Sequence, residues 1–231
     1  MSGLDRAAAR ERIAARAALE LHPGELVNLG IGLPTEVARH LPEDGSVFVH
    51  AENGIVGMGA EAAAGQEDPD LIDAGGRYVT VRRGAAFLDS VTSFALVRGG
   101  RVAACVLGAF QVDVHGDLAN WRVPGRAAPG VGGAMELAQR VPRVIVTTLH
   151  TDRHGGPKLL ARCDLPRTAR SAVDLVVTEM AVLAPDGARF RLLELAPDAT
   201  LDRVREATGA EIDASNVGPW RTSREPGREG A

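Results

Sequence analysis

From Val102 to Leu107 the chain reads Val-Ala-Ala-Cys-Val-Leu, without a polar side chain, between Arg101 and Gly108. A strand that is apolar at every position has no face to show to water, so it belongs in the middle of a parallel sheet covered by helices on both sides. Similar short runs recur at Leu26-Val27-Asn28-Leu29, Val47-Phe48-Val49, Tyr78-Val79-Thr80-Val81 and Val144-Ile145-Val146. Val173 to Thr178 and Phe190 to Leu195 read as two further strands around the turn Pro185-Asp186-Gly187. Helical segments lie between the strands. Asp5 to Leu21 carries Ile13, Ala17 and Leu21 on one face, and Pro34 to Leu41, Ala85 to Val97, Ala134 to Arg140 and Ala199 to Thr208 follow. Alternating strands and helices predict an α/β fold: an open, mostly parallel sheet with helices on both faces.

No repeat or linker divides the 231 residues, so residues 1–215 are expected to form one domain. The segment 216–231 is polar, with Pro219, Pro226 and several glycines, and is expected to be a disordered tail. A net charge of −4 argues against nucleic acid as a partner. No apolar run reaches the roughly 18 residues of a membrane span, and the first residues lack the pattern of a signal peptide. A cytoplasmic protein is expected. Cys105 and Cys163 do not make a disulfide framework.

Glu52 follows the run Val47–Val49 and precedes Asn53-Gly54, so a carboxylate stands where a buried strand becomes a turn. In open α/β sheets that edge holds the ligand site. A glutamate there can be a nucleophile, a general base, a ligand for ribose hydroxyls or a solvated loop residue. Gly30 and Gly32 match two glycines of a dinucleotide fingerprint, with Glu52 about where its ribose acid belongs, but Thr35 stands in the third position. Gly130-Val131-Gly132-Gly133 opens a helix and offers amide donors to an anion, or simply a flexible loop. His150 and His154 have the spacing of a helical metal pair, yet Asp152, Gly155, Gly156 and Pro157 make that segment a loop, so no metal site is expected.

Ala51-Glu52-Asn53-Gly54-Ile55-Val56-Gly57-Met58-Gly59 resembles the signature around the catalytic glutamate of family I CoA-transferases, in particular the B subunit of 3-oxoacid CoA-transferases. Asn28 to Thr35, Gly116 to Trp121, Gly130 to Met135 and Gly155-Gly156-Pro157-Lys158 resemble other motifs of that subunit, in the same order. Ala51 replaces the usual serine before the glutamate.

The resemblance implies the CoA-transferase and sugar-isomerase type of fold, with Glu52 as the catalytic nucleophile. CoA would pass from an acyl-CoA such as succinyl-CoA to a 3-oxo acid, acetoacetate or 3-oxoadipate, by a ping-pong route through a covalent glutamyl-CoA thioester. Asn53, Asn120, Gly132 and Gly133 are the candidates for oxyanion and substrate binding; Gly30, Gly32 and Lys158 are those for CoA. No cofactor is expected beyond CoA as substrate, and the partner implied is the A subunit of the CoA-transferase. A distal carboxylate on the acceptor calls for an arginine, and Arg82, Arg83, Arg122 and Arg126 lie near the motifs. The competing functions are a dinucleotide-dependent oxidoreductase, a non-catalytic sensor of a CoA ester or sugar phosphate, and a thioester hydrolase.

Overall fold

The computed structural model describes residues 5–42, 44–125 and 130–224. The first half of the chain runs α1 (Arg6–Ala18), β1 (Leu26–Leu29), α2 (Leu33–Glu36), a 3-10 turn (Val37–His40), β2 (Phe48–Ala51), β3 (Ile55–Glu61), β4 (Val79–Phe87), α3 (Ser90–Arg98) and β5 (Ala104–Gly108). It continues through β6 (Gln111–Asp113), β7 (Leu118–Ala119), α4 (Ala134–Arg140), β8 (Val144–Thr147), β9 (Leu159–Leu160), β10 (Leu175–Val177), β11 (Ala181–Pro185), β12 (Phe190–Leu195), α5 (Leu201–Ala207), β13 (Ile212–Asp213) and β14 (Gly218–Pro219). The main sheet has the order β13-β12-β11-β10-β8-β5-β1-β2-β3-β4, with β14 also on β12. Its centre, β10-β8-β5-β1-β2, is parallel, and antiparallel strands flank it on both sides. A small second sheet, β7-β6-β9, stands apart.

The wholly apolar strand β5 explains itself in the packing. Cys105 and Leu107 join one core with Val144, Val146 and Val176, beneath Val97 of α3, Leu137 of α4 and Val204 of α5. Ala104 and Val106 point the other way, into a core with Ile145, Val177 and the Ile13–Ala17 face of α1. Alternate residues therefore feed two cores, one on each face, and each fully buried Val or Leu contributes on the order of 1.5–3 kcal/mol. In β1 and β2 the pattern breaks on the α3 side, where Asn28 and His50 are fully buried neighbours in register.

Several expectations need correction. The helix expected from Ala85 begins only at Ser90: Ala86 and Phe87 continue β4 against Val56 and Ile55, and Asp89 caps α3 by accepting from the Thr92 amide. Pro34–Leu41 is not one helix but a single α turn followed by a 3-10 turn. The strand that pairs with Phe190–Leu195 across the turn is Ala181–Pro185, rather than the Val173–Thr178 run expected there.

The expected disordered tail is placed as far as Arg224: Gly218 and Pro219 pair with Glu194 and Leu195, and Arg221 joins Glu194 and Glu20. Those two acids also hold Arg16, whose side chain is 1% exposed, so the segment completes a buried charge cluster rather than trailing into solvent. Residues 225–231 lie outside the described residues. No described helix is long and apolar enough to cross a membrane.

Candidate active site

The carboxyl ends of β2, β1, β5 and β8 border one cleft of about 690 Å³. Among the described residues its lining carries four charged side chains, Glu52 against Arg6, Arg10 and Lys158. Glu52 is the one carboxylate.

The nucleophile candidate sits on a corner. Ala51 of β2 faces Ile55 of β3 across an antiparallel pair, so Glu52, Asn53 and Gly54 reverse the chain within three residues. Gly54 has φ +125°, and a Cβ there would lie 2.0 Å from the Leu88 carbonyl oxygen, so only glycine fits. The Glu52 side chain is half-buried, which pushes its carboxyl above the usual carboxylate range; the Gly133 amide donates to it and pulls the other way. Gly133 approaches so closely that a Cβ would stand 2.8 Å from Glu52 Oε1 and 2.7 Å from Phe94 Cζ.

Behind the corner runs a buried polar chain. Asn28 Nδ2 donates to the His50 carbonyl oxygen at 3.2 Å and lies 3.2 Å from its Nδ1. His50 Nε2 lies 2.8 Å from Ser93 Oγ, and the Ser93 hydroxyl donates to the Glu52 carbonyl oxygen at 2.9 Å. With Nδ1 accepting from Asn28, the network assigns the proton to Nε2. Burial pushes the His50 ring down to about 4, so it is neutral near pH 7. In the sequence this chain shows only as two polar intrusions, Asn28 and His50, into apolar strands.

The Coenzyme A transferase family matches residues 10–207. The chain belongs to the coenzyme A transferase family. This transferase chain is 49% identical over 205 residues to the probable coenzyme A transferase beta subunit of Bacillus subtilis, covering 89% of this chain and 94% of that one. It is 46% identical over 207 residues to the acetate CoA-transferase beta subunit of Escherichia coli, 90% and 94% covered. To the B subunit of the 3-oxoadipate CoA-transferase of Acinetobacter baylyi it is 44% identical over 210 residues, 89% and 96% covered. Its fold resembles the crystal structure of the acyl-CoA transferase YdiF of Escherichia coli O157:H7, with a TM-score of 0.71 at 20% identity. The match covers 90% of this chain and 42% of the YdiF chain.

Of the residues singled out from the sequence, Glu52, Gly30, Asn120, Gly132, Gly133 and Lys158 all line the cleft. Asn120 is braced from behind: its Nδ2 donates to the Gly108 carbonyl oxygen and its Oδ1 accepts from Thr168. Gly32 precedes α2 and does not line the cleft. Asn53 does not reach it either. Its amide donates to the Ile72 carbonyl oxygen at 2.7 Å and braces the 71–76 loop, whose Ala74 forms part of the cleft wall.

Lys158 Nζ donates to Thr148 Oγ1 at 2.9 Å. Burial lowers its pKa most; Glu179 and Asp152 raise it, and Arg6 lowers it further. Arg82, Arg83 and Arg122 do not line the cleft: Arg82 donates to the Val47 carbonyl oxygen and Arg122 stacks on Trp121. Arg126 lies outside the described residues. Arg6 and Arg10 were missed because they precede Glu52 by more than forty positions. Topology could have found them. A helix that turns back into a parallel strand starts at that strand's carboxyl edge, and α1, at roughly 20 Å, is longer than β1, at roughly 13 Å.

Thr35, in the third dinucleotide position, donates its hydroxyl to the Gly32 carbonyl oxygen, and family membership displaces the oxidoreductase reading. His150 is fully buried between the hydroxyls of Thr178 and Thr208, whereas His154 is exposed beside Arg153. Among the described residues no group of three His, Cys, Asp or Glu side chains is arranged for a metal ion.

Proposed function

We propose that this chain is the B subunit of a 3-oxoacid CoA-transferase and that Glu52 is its nucleophile. One observation carries the reading: among the described residues the cleft holds a single carboxylate, half-buried, on a fixed corner, with the Gly133 amide aimed at it. A carboxylate stripped of water attacks a thioester carbonyl more readily than a solvated one.

In the first half-reaction a Glu52 oxygen bonds the acyl carbon, the carbon–sulfur bond breaks and CoA leaves as thiolate. The thiolate then attacks the Glu52 carbonyl carbon, which expels the acyl group as a carboxylate and leaves a glutamyl-CoA thioester. The 3-oxo acid carboxylate attacks that thioester and releases CoA thiolate, which attacks the acceptor's carbonyl and frees Glu52. The attack of the thiolate on the Glu52 carbonyl, and later that of the acceptor carboxylate on the glutamyl thioester, each put negative charge on the glutamyl oxygen, where the Gly133 amide is the donor at hand; such a donor is worth about 100-fold or more in rate.

The acceptor class and the partner rest on the same reading. Relatives of nearly equal identity are named for acetate and for 3-oxoadipate, so the choice of 3-oxo acid follows the motif resemblance. Both names specify a beta or B subunit, which supports an A subunit beside this chain; a place for the pair in the cytoplasm is part of the proposal. The test is peptide mass spectrometry on the chain purified with its partner after exposure to succinyl-CoA. A CoA adduct on the Glu52 peptide, discharged by a 3-oxo acid, is expected. Thioester consumed with no adduct at Glu52 and no acyl-CoA formed from the acceptor would overturn the proposal in favour of hydrolysis.

A further inference from the structure

Two cations of the cleft, Lys158 and Arg6, stand at the end away from the nucleophile, and Arg10 lies one helical turn from Arg6 towards α2. Glu52 follows β2 and Thr148 follows β8, with β1 and β5 between them, so three strand spacings separate the two ends, about 14 Å. Lys158 Nζ is fastened to Thr148 at that far end. Arg6 and Arg10, four apart on α1, share a helix face and line the same cleft. Arg10 is steadied by Glu36, its Nε 3.0 Å from Oε1. No carboxylate among the described residues pairs with Arg6, which instead faces the like charge of Lys158. The Thr147 hydroxyl, 1% exposed and lining the same end, has no hydrogen-bond partner among the described residues. A buried orphan hydroxyl beside three cations, of which Arg6 has no carboxylate partner among the described residues, describes a seat for an anion.

Length decides which anion. Allowing ~4 Å for the reach of the glutamate side chain, about 10 Å remain between the reacting carbonyl and the cations. A succinyl group places its far carboxylate only ~4 Å from the thioester carbon, and a six-carbon diacid ~6 Å. The pantetheine arm, extended to on the order of 15 Å, spans the distance with room to bend.

We propose that Arg6, Arg10 and Lys158, with the Thr147 hydroxyl, receive the phosphate end of the CoA ester rather than the acyl carboxylate. This rests on the CoA-transferase reading above.

The test compares Arg6→Ala and Arg6→Ala/Lys158→Ala with the wild-type complex, using acetyl-CoA, succinyl-CoA and succinyl-pantetheine, which keeps the arm and lacks the phosphates. Expected is a loss in kcat/KM of about tenfold for the single variant and about a hundredfold for the double, equal for the two CoA esters. With succinyl-pantetheine the change should stay within about twofold. Arg6 is exposed at the first turn of α1, so its removal leaves the fold intact. Loss confined to the succinyl donors, pantetheine ester included, would overturn the assignment in favour of the acyl carboxylate, and so would variants indistinguishable from wild type. A wild-type complex inert towards every thioester would sink the transferase reading itself, a separate failure.

Discussion

Replacing Gly133 by alanine tests the link between the α4 entry and the nucleophile. Gly133 has φ −74° and ψ −13°, which alanine adopts freely, so backbone strain is not the issue. The added methyl would stand 2.8 Å from Glu52 Oε1 and 2.9 Å from Cδ. Ordinary contact is roughly 3.4 Å or more, so the carboxylate must retreat by about half an ångström and its hydrogen bond from the Gly133 amide lengthens. The third neighbour, Phe94 Cζ, is the tip of a ring that can tilt. Losing a donor to a charged group costs about 1.5–3 kcal/mol, and misplacing a reacting group by this much costs up to about a hundredfold in rate. We expect kcat and the rate of CoA adduct formation to fall about 100-fold, while urea unfolding shifts by less than about 1 kcal/mol. Gly132→Ala is the comparator: it meets φ +59° with nothing within 4 Å of the new Cβ, so it should lower stability by about 1 kcal/mol and spare more of the rate. A Gly133→Ala enzyme with wild-type kcat, or one whose loss of rate follows loss of fold, would refute the close approach as the cause.

Three further outcomes follow from the geometry. Ser93→Ala removes the donor to the Glu52 carbonyl oxygen and strands the His50 Nε2 proton; steady-state kinetics should show kcat down about tenfold with KM little changed, and an unchanged kcat would count against a positioning role. His50 and His150 both titrate near 4 when folded against an ordinary 6.5, so the unfolded chain binds more protons between those values. Stability is full above about pH 6.5 and falls towards pH 4, by about 3 kcal/mol for each ring; His150→Gln should flatten that decline in urea titrations taken at several pH values. Arg221→Ala opens the charge cluster around Glu194 and Glu20 and should destabilise the chain by about 1–2 kcal/mol, whereas an unchanged unfolding midpoint would show that the 218–224 segment does not contribute.

The parallel centre was legible because burial on both faces leaves no polar position in β5. Glu52, Gly132 and Gly133 were legible as short motifs. What stayed hidden depended on neighbours remote in sequence. Phe87 fits a helical spacing, yet its partner is Ile55, thirty-two residues earlier. The tail is polar, yet its Arg221 pairs with Glu20 and Glu194, both far away in sequence. Asn53 sits beside the nucleophile in sequence and faces another loop in space. Arg6 and Arg10 carry no motif; only the fact that α1 overhangs the sheet brings them to the cleft.

The corner that bears Glu52 has a mechanical meaning. Parallel strands hand the chain to long crossovers that can swing, but here the strand after the glutamate turns straight back into the sheet, and ladder hydrogen bonds clamp the chain on both sides of a three-residue bend. Gly54 wedged under Leu88 and Ser93 hooked to the Glu52 carbonyl leave that bend little freedom to hinge. In the proposed cycle four successive attacks all take place on or beside one carboxyl group, so the traffic falls to the visitors: the carboxylate waits as a fixed post, and thiolate and acids exchange past it through the open mouth of the cleft.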